Sequence, residues 1–181
     1  LPQDGVKVIG YRQALSLPTQ PKSMIIVGSG AIGVEFADFY NTMGTKVTIV
    51  EFMPNIVPVE DEEISKHLEK SLKKSGIDIM TNASVESVDT SGNGVKANVK
   101  TKDGNITLEA DILLSAVGIA ANIENIGLEE VGIATDKGRV LVNEWYQTSV
   151  PGYYAIGDII PTQALAHVAS AEGITCVEKI K

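Results

Sequence analysis

An α/β fold is what this sequence predicts: a parallel sheet flanked by helices, with a three-stranded antiparallel meander inserted into it. Three observations predict it. Residues 23–51 run as an apolar strand, a glycine-rich turn, a helix and a second strand, the size of one β-α-β unit. Residues 84–110 change to alternating apolar and polar positions, punctuated by turn signals. At Ile112-Leu113-Leu114 a continuous apolar run returns. Continuous runs suit strands covered on both faces, and alternation suits strands with one wet face.

The elements follow in order. The first 22 residues carry Pro2, Pro18 and Pro21 and read as an irregular linker. The chain opens on Leu1 rather than methionine and reads as a piece of a longer protein. Ser23 to Val27 is a short buried strand ending at Gly28. Ala31 to Met43 has Ile32, Phe36, Phe39, Tyr40 and Met43 at helical spacing, closed by Gly44. Lys46 to Val50 is a β-branched strand ending at Glu51. A second helix begins among Glu60, Asp61, Glu62 and Glu63 and ends near Lys70, Lys73 and Lys74, a charge order that complements the helix dipole. Its stripe is Ile64, Leu68 and Leu72, its cap Gly76, and Ile77 to Met80 is a third strand.

The meander comprises 84–89, 94–100 and 106–110, with turns at Ser91-Gly92-Asn93-Gly94 and Lys102-Asp103-Gly104-Asn105. A looser stretch from Ala120 to Val150 holds Gly127, Gly132 and Gly138. Tyr153 to Ile156 reads as a last strand, broken by Gly157-Asp158, and Ala164 to Ile180 as a helix.

Composition excludes several classes. The chain has 181 residues, 44% hydrophobic, with a net charge of −8. Nucleic-acid binders present a basic face, and nothing here supplies one. The longest nearly apolar run, Ile112 to Ala121, is far shorter than the roughly 20 residues that span a bilayer. One cysteine and two histidines make a structural zinc site improbable, and a reducing compartment such as the cytoplasm is expected. Cys176 reads as a small buried residue.

The chemistry concentrates at Gly28-Ser29-Gly30-Ala31-Ile32-Gly33. A GxGxxG pattern alone is weak, but here it ends a strand and opens a helix. In that setting Gly28 makes the tight turn, Gly30 lets a pyrophosphate approach, and Gly33 lets helix and strand pack closely. The phosphates rest on the helix N-terminus. Glu51 ends the next strand, eighteen residues past Gly33, where a carboxylate accepts hydrogen bonds from the adenosine ribose. No arginine follows it, so NAD(H) is expected rather than NADP(H). The reading is a Rossmann-like dinucleotide site. Glu35 reads either as a site residue or as a partner of the helix dipole. Asp158 reads either as a ligand contact at a strand end or as a turn residue.

GSGAIGVE (Gly28 to Glu35), VTIVE (Val47 to Glu51), SAVG (Ser115 to Gly118), YAIGD (Tyr154 to Asp158) and ALAHVASAEG (Ala164 to Gly173) occur in this order. Together they resemble the flavoprotein disulfide reductase family over nearly the whole chain. The Leu-Ala-His stretch points within it to the dihydrolipoamide dehydrogenases. The resemblance implies a FAD/NAD(P)-binding domain type. Residues 1–22 would be a linker from the FAD domain, 23–147 the NAD-binding domain, and 148–181 a returning segment of the FAD domain.

By position, the resemblance assigns Gly28, Ser29, Gly30, Ala31, Ile32, Gly33, Val34 and Glu35 to the NAD pyrophosphate and nicotinamide path. Glu35 matches an acid that pairs with a lysine beside the flavin. Glu51 would bind ribose, Val85 would touch the adenine side, and Gly118 would approach NAD by its backbone. Asp158 matches the aspartate on the ribityl chain of FAD. Ala164, Leu165, Ala166 and His167 match a segment passing the flavin ring, so His167 reads as a backbone contact rather than an acid–base group.

The parent reaction so implied oxidises dihydrolipoamide to lipoamide with FAD and NAD⁺. Partners would be a lipoyl domain of a 2-oxo acid dehydrogenase or glycine cleavage complex and a second copy of the parent. The compartment would be the cytoplasm, or the mitochondrial matrix in a eukaryote. The family's FAD fingerprint, redox cysteine pair and catalytic His-Glu pair find no match here, so no catalytic residue and no metal ligand is assigned and the isolated chain is expected to be inactive. Ile119-Ala120 stands where the family often has arginine, and Ala31 where some relatives gate the nicotinamide with tyrosine. Other readings are a relative with a different acceptor (NADH oxidase, mercuric reductase or CoA-disulfide reductase) and a non-catalytic nucleotide-binding module.

Overall fold

A computed structural model describes residues 1–181. The chain gathers into two compact units, Leu1–Gly118 and Ile119–Lys181. The expected break at 147–148 falls inside the second unit, where Gln147 bridges Tyr154.

In the first unit the elements run β1 (Val8–Ile9), α1 (Tyr11–Ala14), β2 (Ser23–Val27), α2 (Ala31–Thr42), β3 (Lys46–Val50), α3 (Glu62–Lys74), β4 (Asp78–Met80), β5 (Ser84–Asp89), β6 (Val95–Thr101), β7 (Gly104–Ala110) and β8 (Ile112–Ser115). Five strands form one sheet in the order β1-β8-β2-β3-β4. Every neighbouring pair is parallel. The meander β5-β6-β7 is a separate antiparallel sheet, with an irregularity between Val85 and Ser87.

The continuous apolar runs are explained by this layering. Along β2, Met24 and Ile26 join the core that includes Ala37, Tyr40 and Leu72 of the helices. Ile25 and Val27 point the other way, into the core with Val95, Ala97 and Val99 of the meander. The period of two along a strand sends successive side chains to opposite faces, and both faces of this sheet are covered.

Five sequence expectations change here. Residues 1–22 are not irregular throughout: they hold β1 and α1. β1 pairs with β8, and Val8 and Ile9 are buried. The Asp4 carboxylate accepts from the backbone N–H groups of Val6, Lys7 and Val8 at 2.8–2.9 Å. The Tyr40 hydroxyl donates to the Ala14 carbonyl at 2.5 Å, tying α1 to α2. A two-residue edge strand is too short to read from periodicity.

Of the large residues at helical spacing in α2, Tyr40 is buried and Phe36 packs against the core, but the rest of the buried face is Gly33 and Ala37. Phe39 and Met43 are each 56% exposed. Small residues win the sheet side because they let the helix axis come close. In α3, similarly, Ser65 and Leu72 are buried and Ile64 is 57% exposed. The end charges of α3 fall as expected. Asp61 caps it by accepting from Glu63 N–H at 2.8 Å, and Glu62–Lys66 and Glu69–Lys73 pair at four-residue spacing.

The second unit holds a hairpin of β9 (Thr135–Asp136) and β10 (Arg139–Val140), a 3₁₀ turn at Gly157–Ile159, and α4 (Ala166–Ile180). The hairpin turn has Lys137 and Gly138 both at positive φ, the geometry that matches strand twist. The expected strand Tyr153–Ile156 is reduced to the single bridge Gln147–Tyr154. Helix α4 starts two residues later than expected because Leu165 is extended, with φ −133°. Ile133, Val140, Ala155 and Ile160 form the buried core of this unit.

Candidate dinucleotide site

Because β2, β3 and β8 are parallel, their C-terminal ends lie at one edge of the sheet. The loops that follow them, at 28–30, 51–57 and 116–118, share that edge. This is where ligands bind in open α/β sheets. The loops are laced together. Gly28 N–H donates to the Val50 carbonyl at 2.9 Å, Ala116 N–H to Val27 at 2.8 Å, and Val57 N–H to Ser29 at 3.0 Å.

The three fingerprint glycines have different physical reasons. Gly28 has φ +96°, and a Cβ there would lie 2.6 Å from the Ala116 carbonyl oxygen. A Cβ on Gly33 would lie 2.1 Å from the Gly28 carbonyl oxygen, so this glycine sets the closeness of helix and loop. A Cβ on Gly30 would meet nothing within 4 Å. The fold does not need glycine at Gly30; the open space above the helix start is what a ligand's approach needs. No side chain caps α2 at Gly30, which leaves the first-turn N–H groups without a capping partner. Gly118, at φ +88°, likewise has open space around it.

Glu51 follows β3 and reaches the glycine loop. The residue is 6% exposed. Oε2 accepts from Ser29 N–H at 2.8 Å and from Ser29 Oγ at 2.6 Å. Oε1 accepts from Met53 N–H at 2.8 Å. Ser29 itself is fully buried. The spacing of the motif placed Glu51 near the loop. It gave no sign of the Ser29 hydroxyl bond, because the middle residue of the first Gly-x-Gly carries no fixed role in the pattern.

The remaining residues fall as follows. Ala31 and Glu35 are exposed on α2, while Ile32 and Val34 are half-buried. Glu35 borders an apolar groove with Tyr11, Leu15, Ile32, Phe36 and Phe39. Val85 on β5 packs against the meander-side core and pairs with Val99. In the second unit Asp158 is exposed within the 3₁₀ turn. Its carbonyl accepts from the Arg139 guanidinium. The buried Glu172 carboxylate accepts from Gly157 N–H at 2.7 Å, fixing the backbone beside Asp158. Ala164 is half-buried, and Leu165, Ala166 and His167 are exposed. Neither Arg139 nor Glu172 stood out in the sequence.

The family model described as pyridine nucleotide-disulphide oxidoreductase matches residues 2–173. The chain belongs to this family. Among curated members of these oxidoreductases, it is 48% identical over 178 residues to a dihydrolipoyl dehydrogenase of Rhizobium etli, covering 98% of this chain and 37% of that protein. It is 44% identical to the mitochondrial dihydrolipoyl dehydrogenase 2 of Arabidopsis thaliana, over 98% of this chain and 36% of that one. Among solved structures, LpdA from Mycobacterium tuberculosis superposes with a TM-score of 0.87 at 34% identity, over 98% of this chain and 38% of that chain. The chain therefore spans less than two fifths of the length of these relatives.

Proposed function

We propose that this chain is the NAD(H)-binding part of a dihydrolipoyl dehydrogenase. The observation that carries the reading is the glycine loop: Gly28 and Gly33 are demanded by the backbone, while Gly30 is left free over an uncapped helix start. Open space and unpartnered N–H groups together fit a pyrophosphate. The first-turn N–H groups of α2 would hold the phosphates, and Glu51 would accept from the adenosine ribose. Val85 would flank the adenine side, and Gly118 would present its backbone. Glu35 would stand on the nicotinamide path. Asp158 and the Ala164–His167 segment would meet FAD in the parent, which makes residues 148–181 a returning piece of the FAD domain.

In this family the nicotinamide exchanges a hydride with a flavin. This chain's residues bind and orient; they hold no redox pair, since Cys176 is the one cysteine and lies buried in α4. The parent would act on dihydrolipoamide, meet lipoyl domains of 2-oxo acid dehydrogenase or glycine cleavage complexes, and pair with a second copy. No helix is long and apolar enough to cross a membrane.

Titration of the chain with NADH and NADPH by calorimetry tests the reading. Tighter binding of NADH is expected, because Glu51 repels a 2′-phosphate at close range. Equal or tighter binding of NADPH overturns the cofactor assignment. Lipoamide-dependent NADH formation by the isolated chain overturns its assignment as a binding part alone.

A further inference from the structure

We propose that Ser29 is a specificity-determining residue of the dinucleotide site, because its hydroxyl limits Glu51 to a single ribose hydroxyl. The proposal rests on the NAD(H) reading above and deepens it. A carboxylate offers about four acceptor positions, two on each oxygen. Both positions of Oε2 are taken by Ser29, through its N–H at 2.8 Å and its Oγ at 2.6 Å. One position of Oε1 is taken by Met53 N–H at 2.8 Å. One acceptor position is left, on Oε1. An adenosine ribose presents two neighbouring hydroxyls, and a carboxylate with free positions on both oxygens accepts from both. Here it accepts from one.

The arrangement is rigid for a stated reason. Ser29 is fully buried, so its hydroxyl has no solvent to turn toward and would lose a bond to a charged acceptor by leaving. The Ser29 carbonyl is bound in turn by Val57 N–H at 3.0 Å. Serine at this position therefore exchanges a second ribose bond for a fixed carboxylate.

The test compares NADH with its analogues lacking either the 2′- or the 3′-hydroxyl of the adenosine ribose, titrated against the chain and its Ser29→Ala and Ser29→Gly variants. Both variants keep the backbone N–H that holds Glu51, and circular dichroism confirms their fold. In the unaltered chain, deleting one of the two hydroxyls weakens binding about tenfold or more and deleting the other changes it little, since a hydrogen bond to a charged group is lost in one case only. In both variants the second deletion also becomes costly, because Oε2 has regained a free position. Equal cost of the two deletions in the unaltered chain overturns the Ser29 proposal and leaves the NAD(H) reading standing. A uniform weakening of all three ligands in the variants, with the hydroxyl pattern unchanged, shows that Ser29 only packs and also overturns it. Failure of the unaltered chain to bind NADH overturns both.

Discussion

At the scale of single residues, Gly30 and Gly33 separate the demands of the fold from those of the ligand. A methyl group on Gly33 would have to displace the Gly28 carbonyl, a backbone atom that cannot swing aside. Gly33→Ala is expected to destabilise the chain by about 1–3 kcal/mol, the usual cost of overpacking, and to lower the thermal midpoint accordingly. A methyl group on Gly30 meets only open space. Glycine is a modest helix N-cap and alanine a poor one, so Gly30→Ala is expected to cost less than about 1 kcal/mol of stability. Its effect falls on the cofactor: the methyl occupies the approach to the helix start, and NADH affinity drops at least tenfold. Thermal melts and calorimetry on the two variants distinguish the roles. A Gly30→Ala protein that binds NADH as well as the unaltered chain contradicts the pyrophosphate assignment.

At the scale of elements, the sequence was clearest where a long pattern repeats and weakest where packing or a short contact decides. Strands β2 and β3 were legible as continuous apolar or β-branched runs flanking the glycine loop and its helix, and helix α2 and the meander from their periods. The face that α2 buries was not: Phe39 and Met43 outrank Gly33 and Ala37 in hydrophobicity, yet sheet proximity selects the small side chains. The Ser29–Glu51 bond was invisible because it joins residues on two strand ends through a rotamer. β1 was missed because it is two residues long, and its anchoring depends on a turn. In that turn the Asp4 carboxyl is held below the usual carboxylate range, first by the Val6 N–H bond and then by those of Val8 and Lys7, with burial opposing. A depressed folded value means that the turn gains stability above the unfolded pKa, ordinarily near 3.8, and loses it as pH falls through the lower folded value. The Lys7 ammonium donates to the Thr90 carbonyl at 2.6 Å, so the turn also holds the β5–β6 connection. Acidification below about pH 4 is expected to release the amides of Val6, Lys7 and Val8 to hydrogen exchange before those of β2 and β3. Asp4→Ala should do the same at neutral pH. Exchange of these amides that is unaffected by either change would show that the turn is held by other contacts.

At the scale of the whole molecule, the two compact units divide the assigned residues cleanly. Gly28 to Glu35, Glu51, Val85 and Gly118 all lie in Leu1–Gly118, and Asp158 and Ala164–His167 all lie in Ile119–Lys181. The first unit has a five-stranded sheet with apolar cores on both faces. The second is 63 residues long, with four buried apolar residues at its centre and a two-stranded hairpin as its only sheet. Its helix α4 leaves Ile174 62%, Val177 66% and Ile180 54% exposed. Chains of that length are marginal even with a full core, and this one leaves much of its apolar surface in water. A protein ending at Gly118 is therefore expected to fold, to melt cooperatively, and to bind NADH within about threefold of the longer chain, a difference below 1 kcal/mol. Residues 119–181 expressed alone should show little secondary structure and bind a dye for exposed apolar surface. Loss of NADH binding on truncation to Gly118, with the sheet intact by circular dichroism, would show that the proposed dinucleotide binding needs residues beyond Gly118.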